Sequence, residues 1–121
     1  MRLLIVDDDC ELRGSLIEFL FIQGHTVHGA ENRREAIEWF TNQRIYPGLI
    51  LLDLVMPVLD GWGFLVERRA APLIRRIPVI VMSGSPAVAQ KAKAEGAAHF
   101  IRKPFGAQEL LAVIEQFAVA A

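Results

Sequence analysis

Leu49-Ile50-Leu51-Leu52-Asp53 is a run of four apolar residues closed by a carboxylate. So short a run, with no polar residue alternating into it, predicts a β-strand buried on both faces. Pro47-Gly48 breaks the chain just before it. The same pattern opens the chain, where Leu3-Leu4-Ile5-Val6 runs into Asp7-Asp8-Asp9. It returns after Pro78 as Val79-Ile80-Val81-Met82, ending at Ser83-Gly84. Residues 25–30 and 99–102 make two weaker strands, the last ending at Lys103-Pro104.

Between these runs the apolar residues change to helical spacing. Leu12, Leu16, Phe19 and Leu20 form one stripe; Ala36, Ile37 and Phe40 form another; Phe64, Leu65 and Arg68 suggest a third. An alanine-rich fourth helix is expected over residues 86–95, and Leu110, Leu111, Ile114 and Phe117 mark a fifth. Gly24 and Gly96 stand where helices one and four should end. Asn32 with Glu35 resembles a capping box, Asn replacing the usual Ser or Thr. Asp9 is expected to cap the first helix.

Five alternating βα units imply an α/β protein with a parallel sheet, because parallel strands need crossovers and those are right-handed. Five are too few for an eight-fold barrel. An open, doubly wound sheet with helices on both faces remains. The 121 residues suit one domain, 1–121, and a 53% apolar share is enough for a core, which excludes intrinsic disorder. Thirteen basic and fourteen acidic residues leave a net charge of −1, without the basic excess of a general nucleic-acid or anionic-membrane binder. The single Cys10 cannot form an internal disulfide. No apolar run approaches the ~18–20 residues that span a bilayer, nor does the start resemble a signal peptide. A cytoplasmic location is the expectation.

In doubly wound sheets ligands bind at the carboxyl ends of the strands, where strand order reverses. Four of the five strands finish there with polar residues: Asp7-Asp8, Asp53, Ser83 and Lys103. Three carboxylates at one edge repel each other, and a hard divalent cation such as Mg²⁺, which favours oxygen ligands, relieves that repulsion. His and Cys show no ligand spacing for zinc or copper. Three carboxylates, one Mg²⁺ and one lysine sum to −3 + 2 + 1 = 0, leaving a carboxylate ready as nucleophile. Placing a phosphoryl group on it gives −2 − 2 + 2 + 1 = −1, a small change if metal and lysine both contact the new oxygens. Ser83 would add a hydroxyl donor, and Gly84 would leave room. These are the parts of an acyl-phosphate site.

These residues resemble the receiver domain of two-component response regulators from Leu3 to about Phe117. The motifs are Ile5-Val6-Asp7-Asp8-Asp9, Leu51-Leu52-Asp53-Leu54-Val55-Met56-Pro57 leading to Asp60-Gly61, Val81-Met82-Ser83-Gly84, and Gly96-Ala97 followed by Phe100-Ile101-Arg102-Lys103-Pro104-Phe105. The resemblance implies a flavodoxin-like, CheY-like (βα)5 sandwich with strand order 2-1-3-4-5. It implies Asp53 as phosphoacceptor, and Asp7, Asp8, Asp53 and the Val55 backbone carbonyl as ligands of Mg²⁺, with Mn²⁺ as a substitute. Ser83 becomes the switch hydroxyl, Lys103 the phosphoryl-binding lysine, Phe100 the switch aromatic, and Lys103-Pro104 a cis bond. The implied donor is a phosphohistidine on a sensor histidine kinase or histidine phosphotransfer protein. The implied readout is a downstream protein or output domain that senses the face of the fourth helix, fifth strand and fifth helix. Such a domain is a phosphoacceptor and not an enzyme in the usual sense.

Some positions depart from the family pattern. Val55 and Ser85 stand where amide or charged side chains often orient the attacking water, so slow self-dephosphorylation is expected. Ala98, His99, Val113 and Glu115 replace the charged residues of the salt-bridged dimer formed by receivers with winged-helix outputs. A monomer or a phosphorylation-dependent dimer is expected. Phe100 lacks the hydroxyl of the common tyrosine. The alternative activity is a phosphatase of the haloacid-dehalogenase type, with Asp7 as nucleophile and Asp9 two places on. Cys10 is expected to be an inert first-turn residue, Trp62 to pack near the third helix, and Arg68, Arg69, Arg75 and Arg76 to form a solvated basic group.

Overall fold

The computed structural model describes residues 1–42, 46–54 and 61–119. Its elements alternate as β1 (Arg2–Val6), α1 (Cys10–Ile22), β2 (Thr26–Ala30), α2 (Arg33–Thr41), β3 (Leu49–Asp53), α3 (Gly61–Arg69), β4 (Val79–Ser83), a 3-10 turn (Pro86–Val88), α4 (Ala89–Ala94), β5 (His99–Arg102) and α5 (Ala107–Val119). The strands pair in parallel in the order β2-β1-β3-β4-β5. The doubly wound expectation is met. β3 and β4 are buried at all five positions, as continuous apolar runs require when helices cover both faces.

The period-two alternation of side chains sorts the core into two layers. Leu4, Val6, Ile50, Leu52, Val79 and Val81 face one side, where they pack with Ala36, Phe40, Phe64, Leu65 and Ala92 of α2, α3 and α4. Leu3, Ile5, Leu49, Leu51, Ile80 and Met82 face the other, against Leu16, Leu20, Leu110 and Ile114 of α1 and α5.

Both expected glycine stops are used. Gly24 and Gly96 adopt positive φ, 95° and 102°. The N–H of Gly24 donates to Phe21 O and that of His25 to Leu20 O; Gly96 donates to Lys93 O and Ala97 to Ala92 O. Each is a Schellman closure that turns the chain from a helix into the next strand. Asn32 caps α2 by accepting from Glu35 N at 2.8 Å, while Glu35 reaches back to Glu31 N.

Two expectations need correction. Residues 86–95 do not form one helix. Ser85 makes no side-chain cap, Pro86 starts a separate 3-10 turn, and α4 proper has six residues with only Ala92 buried. Arg68 is not solvated: it is 6% exposed and donates from Nε and Nη2 to Ile77 O and from Nη2 to Arg75 O. Its spacing from Phe64 puts it on the same stripe of α3 as Phe64 and Leu65. Burial lowers its guanidinium pKa, and the carbonyls take the place of a carboxylate.

Candidate functional site

Strand order reverses between β1 and β3, so the crevice for a ligand lies at their carboxyl ends. Val6 pairs with Leu52, which sets Asp7 beside Asp53 at that point. Asp7, Asp8 and Asp53 each offer a carboxylate oxygen within 4.8 Å of the others. Asp7 is fully buried, Asp53 is 6% exposed, and Asp8 is open to solvent. Two buried carboxylates with a third at the mouth make a cluster of hard oxygen donors that a cation can reach, so these residues fit Mg²⁺. Val55, expected to give a backbone carbonyl, lies outside the described residues, as do Met56, Pro57 and Asp60.

Lys103 supplies the positive charge. Its Nζ lies 3.0 Å from Asp7 Oδ2 and 3.7 Å from Asp53 Oδ2. The β5 end that carries it is tied to β4 by Lys103 N donating to Ser83 O at 2.8 Å. The Lys103-Pro104 bond is cis. A cleft of about 380 Å³ lined by Leu12, Lys103, Pro104 and Phe105 opens beside the lysine.

Ser83 closes the third side. It is 2% exposed, and its Oγ accepts from Ser85 N at 3.2 Å. The space before Gly84 is open: an added Cβ would meet only Lys103 O, at 3.9 Å. Register puts Val81 beside Phe100 and Ser83 beside Arg102, so Ser83 and Phe100 share one face of the sheet, one pleat apart. Phe100 is half-buried against the core layer of α2, α3 and α4. All the described candidates are therefore brought to one edge, and Phe100 lies just below it.

Asp9 is used differently. Its carboxylate caps α1, accepting from Glu11 N and Leu12 N at 3.1 Å each. That removes the second carboxylate on which the haloacid-dehalogenase alternative depended. Cys10 is an exposed first-turn residue of α1, as expected. Trp62 packs on the inner layer and carries Lys91 Nζ at 4.5 Å from its ring centre.

Two residues were missed. Gly61 starts α3 directly behind Asp53: a Cβ there would run into Asp53 O and Leu54 Cα. Arg13 of α1 donates from Nη1 to Asp7 O at 2.7 Å. Gly61 has a sequence signal in the Asp60-Gly61 motif; Arg13 has none.

The model of the family described as response regulator receiver domain matches residues 3–115. Among relatives, the response regulator MprA of Mycolicibacterium vanbaalenii is 33% identical over 114 residues, covering 93% of this chain and 48% of that protein. The regulatory protein AtoC of Escherichia coli is 36% identical over 117 residues, covering 95% of this chain and 24% of that one. The chain thus spans less than half the length of both relatives. Among solved structures, the chemotaxis protein CheY4 of Vibrio cholerae superposes with a TM-score of 0.86 at 29% identity, covering 96% of this chain and 97% of that one. The haloacid-dehalogenase reading finds no support in these matches.

Proposed function

The chain belongs to the response regulator receiver domain family, and from that premise we propose that residues 1–121 act as one receiver unit with Asp53 as phosphoacceptor. The observation that carries this is Asp53 at the strand-order reversal, within 3.7 Å of Lys103 Nζ and clustered with Asp7 and Asp8. Asp7, Asp8 and Asp53 would hold Mg²⁺ or Mn²⁺, which when bound offsets the charge of the carboxylates and of the arriving phosphoryl oxygens.

A carboxylate oxygen of Asp53 attacks the phosphorus of a phosphohistidine on a histidine kinase or phosphotransfer protein. The new O–P bond forms as the donor's N–P bond breaks; with the other nitrogen of the donor ring protonated, the imidazole leaves neutral and keeps that proton. Lys103 then has two anionic partners, Asp7 and the phosphoryl oxygens, and its ammonium moves toward the more highly charged one. The Ser83 hydroxyl donates to a phosphoryl oxygen, reached across the open space before Gly84. The volume Ser83 leaves on its face of the sheet is taken by Phe100, one pleat below. This biases the face of α4, β5 and α5, which a downstream protein or output domain reads. With no hydroxyl on Phe100, packing alone separates its two positions. A cytoplasmic location, and a monomer that dimerises at most on phosphorylation, belong to the same proposal.

The test is to phosphorylate the protein with a small phosphodonor and Mg²⁺, trap the acyl phosphate by borohydride reduction, and map the modified residue. Modification at Asp53 is expected; modification at Asp7 would revive the phosphatase. A chase of the phosphorylated protein should show decay over minutes to hours, because Val55 cannot orient the attacking water. Decay within seconds would contradict that part.

A further inference from the structure

Asp7 is held at each of its four polar atoms. Its N–H donates to Ala30 O at 3.0 Å, its carbonyl accepts from Arg13 Nη1 at 2.7 Å, its Oδ1 accepts from Asp9 N at 2.9 Å, and its Oδ2 meets Lys103 Nζ at 3.0 Å. Three of these partners have evident reasons to be there: a strand-end backbone pair, the turn into α1, and the site's own lysine. Arg13 does not. It lies on α1, six residues after Asp7, and must cross the end of β2 to reach that carbonyl. It does so over Gly29, where an added Cβ would meet Ile17 Cδ1 at 2.8 Å and Arg13 Cδ and Cγ at 3.1 and 3.3 Å. The absence of a side chain at Gly29 makes the slot, and the Arg13 stem and the end of Ile17 fill it together.

We propose that Arg13, seated over Gly29, is a positioning residue for the cation site: it fixes the backbone of Asp7 and so sets where Asp7 and its neighbour Asp8 present their carboxylates. Asp8 is exposed, so its aim depends on the peptide that joins it to Asp7, and the carbonyl of that peptide is the one Arg13 holds. The inference rests on the proposal that these carboxylates bind Mg²⁺, and the sign of the effect separates positioning from charge. Removing a cation near carboxylates would by itself tighten Mg²⁺ binding. Weaker binding can come only from lost positioning.

The experiment is calorimetric titration of the whole chain with Mg²⁺ alone, for wild type, Asp8→Asn, Arg13→Met, Arg13→Lys, Gly29→Ala and the Arg13→Met/Gly29→Ala pair, with urea melts in parallel. Arg13→Met keeps an apolar stem over Gly29 and should weaken Mg²⁺ binding about tenfold, as loss of an outer-shell partner does. Arg13→Lys should recover part of that. Gly29→Ala should weaken binding in the Arg13 background and have little further effect beside Arg13→Met. A lower urea midpoint with unchanged or tighter Mg²⁺ binding would make Arg13 merely structural and overturn the inference. If Asp8→Asn abolishes binding while Arg13→Met does not alter it, this inference fails and the metal proposal stands. If wild type binds no Mg²⁺, both fail.

Discussion

Gly61 shows how closely the site depends on a single hydrogen. The first residue of α3 is packed so tightly behind β3 that a methyl group there would overlap Asp53 O and the Leu54 backbone. Backbone cannot step aside as a flexible side chain can. Gly61→Ala should therefore destabilise the fold by about 1–3 kcal/mol, the usual cost of overpacking, read as a lower urea midpoint. A midpoint equal to wild type would contradict the packing described here. Residues that carry charge at strand ends were legible in the sequence, because the ends of apolar runs locate them: Asp7, Asp53, Ser83 and Lys103 are all at the edge expected. Arg13 was not legible. Its role depends on the Gly29 slot, and no spacing rule connects a residue in one helix to the missing side chain of a strand. Arg68 was half-legible, since its interval from Phe64 pointed inward but its charge argued for solvent; the buried Ile77 carbonyl and the Arg75 carbonyl beside it, both served by its guanidinium, decided the matter.

Among the elements, the strands were the most legible and α4 the least. Four-residue apolar runs leave little choice when both faces are covered, whereas residues 86–95 carry helix-forming composition without a cap or a wide apolar stripe. α4 buries only Ala92 and has no side-chain cap hydrogen bond. Two contacts with α3 supplement it: Lys91 over the Trp62 ring, and Arg69 Nη1 to Glu95 Oε2 at 2.8 Å. Arg69 is largely exposed, so that pair is worth little, up to about 1 kcal/mol. The amides of α4 should consequently exchange hydrogen faster than those of α1, which buries Leu16 and Leu20 and is capped at both ends. Glu95→Gln should speed α4 exchange by about fivefold or less. Equal protection of α4 and α1 would contradict this reading, and with it the idea that the face of α4, β5 and α5 is poised to move.

At the scale of the molecule, a net charge of −1 conceals a local concentration. Three of the fourteen acids meet within 4.8 Å at the reversal of strand order, two of them buried, with Lys103 as the adjoining cation. A fold does not gather buried like charges without compensation; among the described residues the Lys103 ammonium meets two of the three carboxylates and the Arg13 guanidinium lies at the Asp7 carbonyl. The remaining deficit suits a divalent cation, and the same arrangement suits a doubly charged phosphoryl group placed between Lys103 and Ser83. The most direct measurement is the intact mass of wild type and Asp53→Asn after incubation with a small phosphodonor and Mg²⁺. Wild type should gain one phosphoryl group, and Asp53→Asn should gain none under the same conditions. Uptake by Asp53→Asn equal to that of wild type would contradict the assignment of Asp53 as the phosphoacceptor.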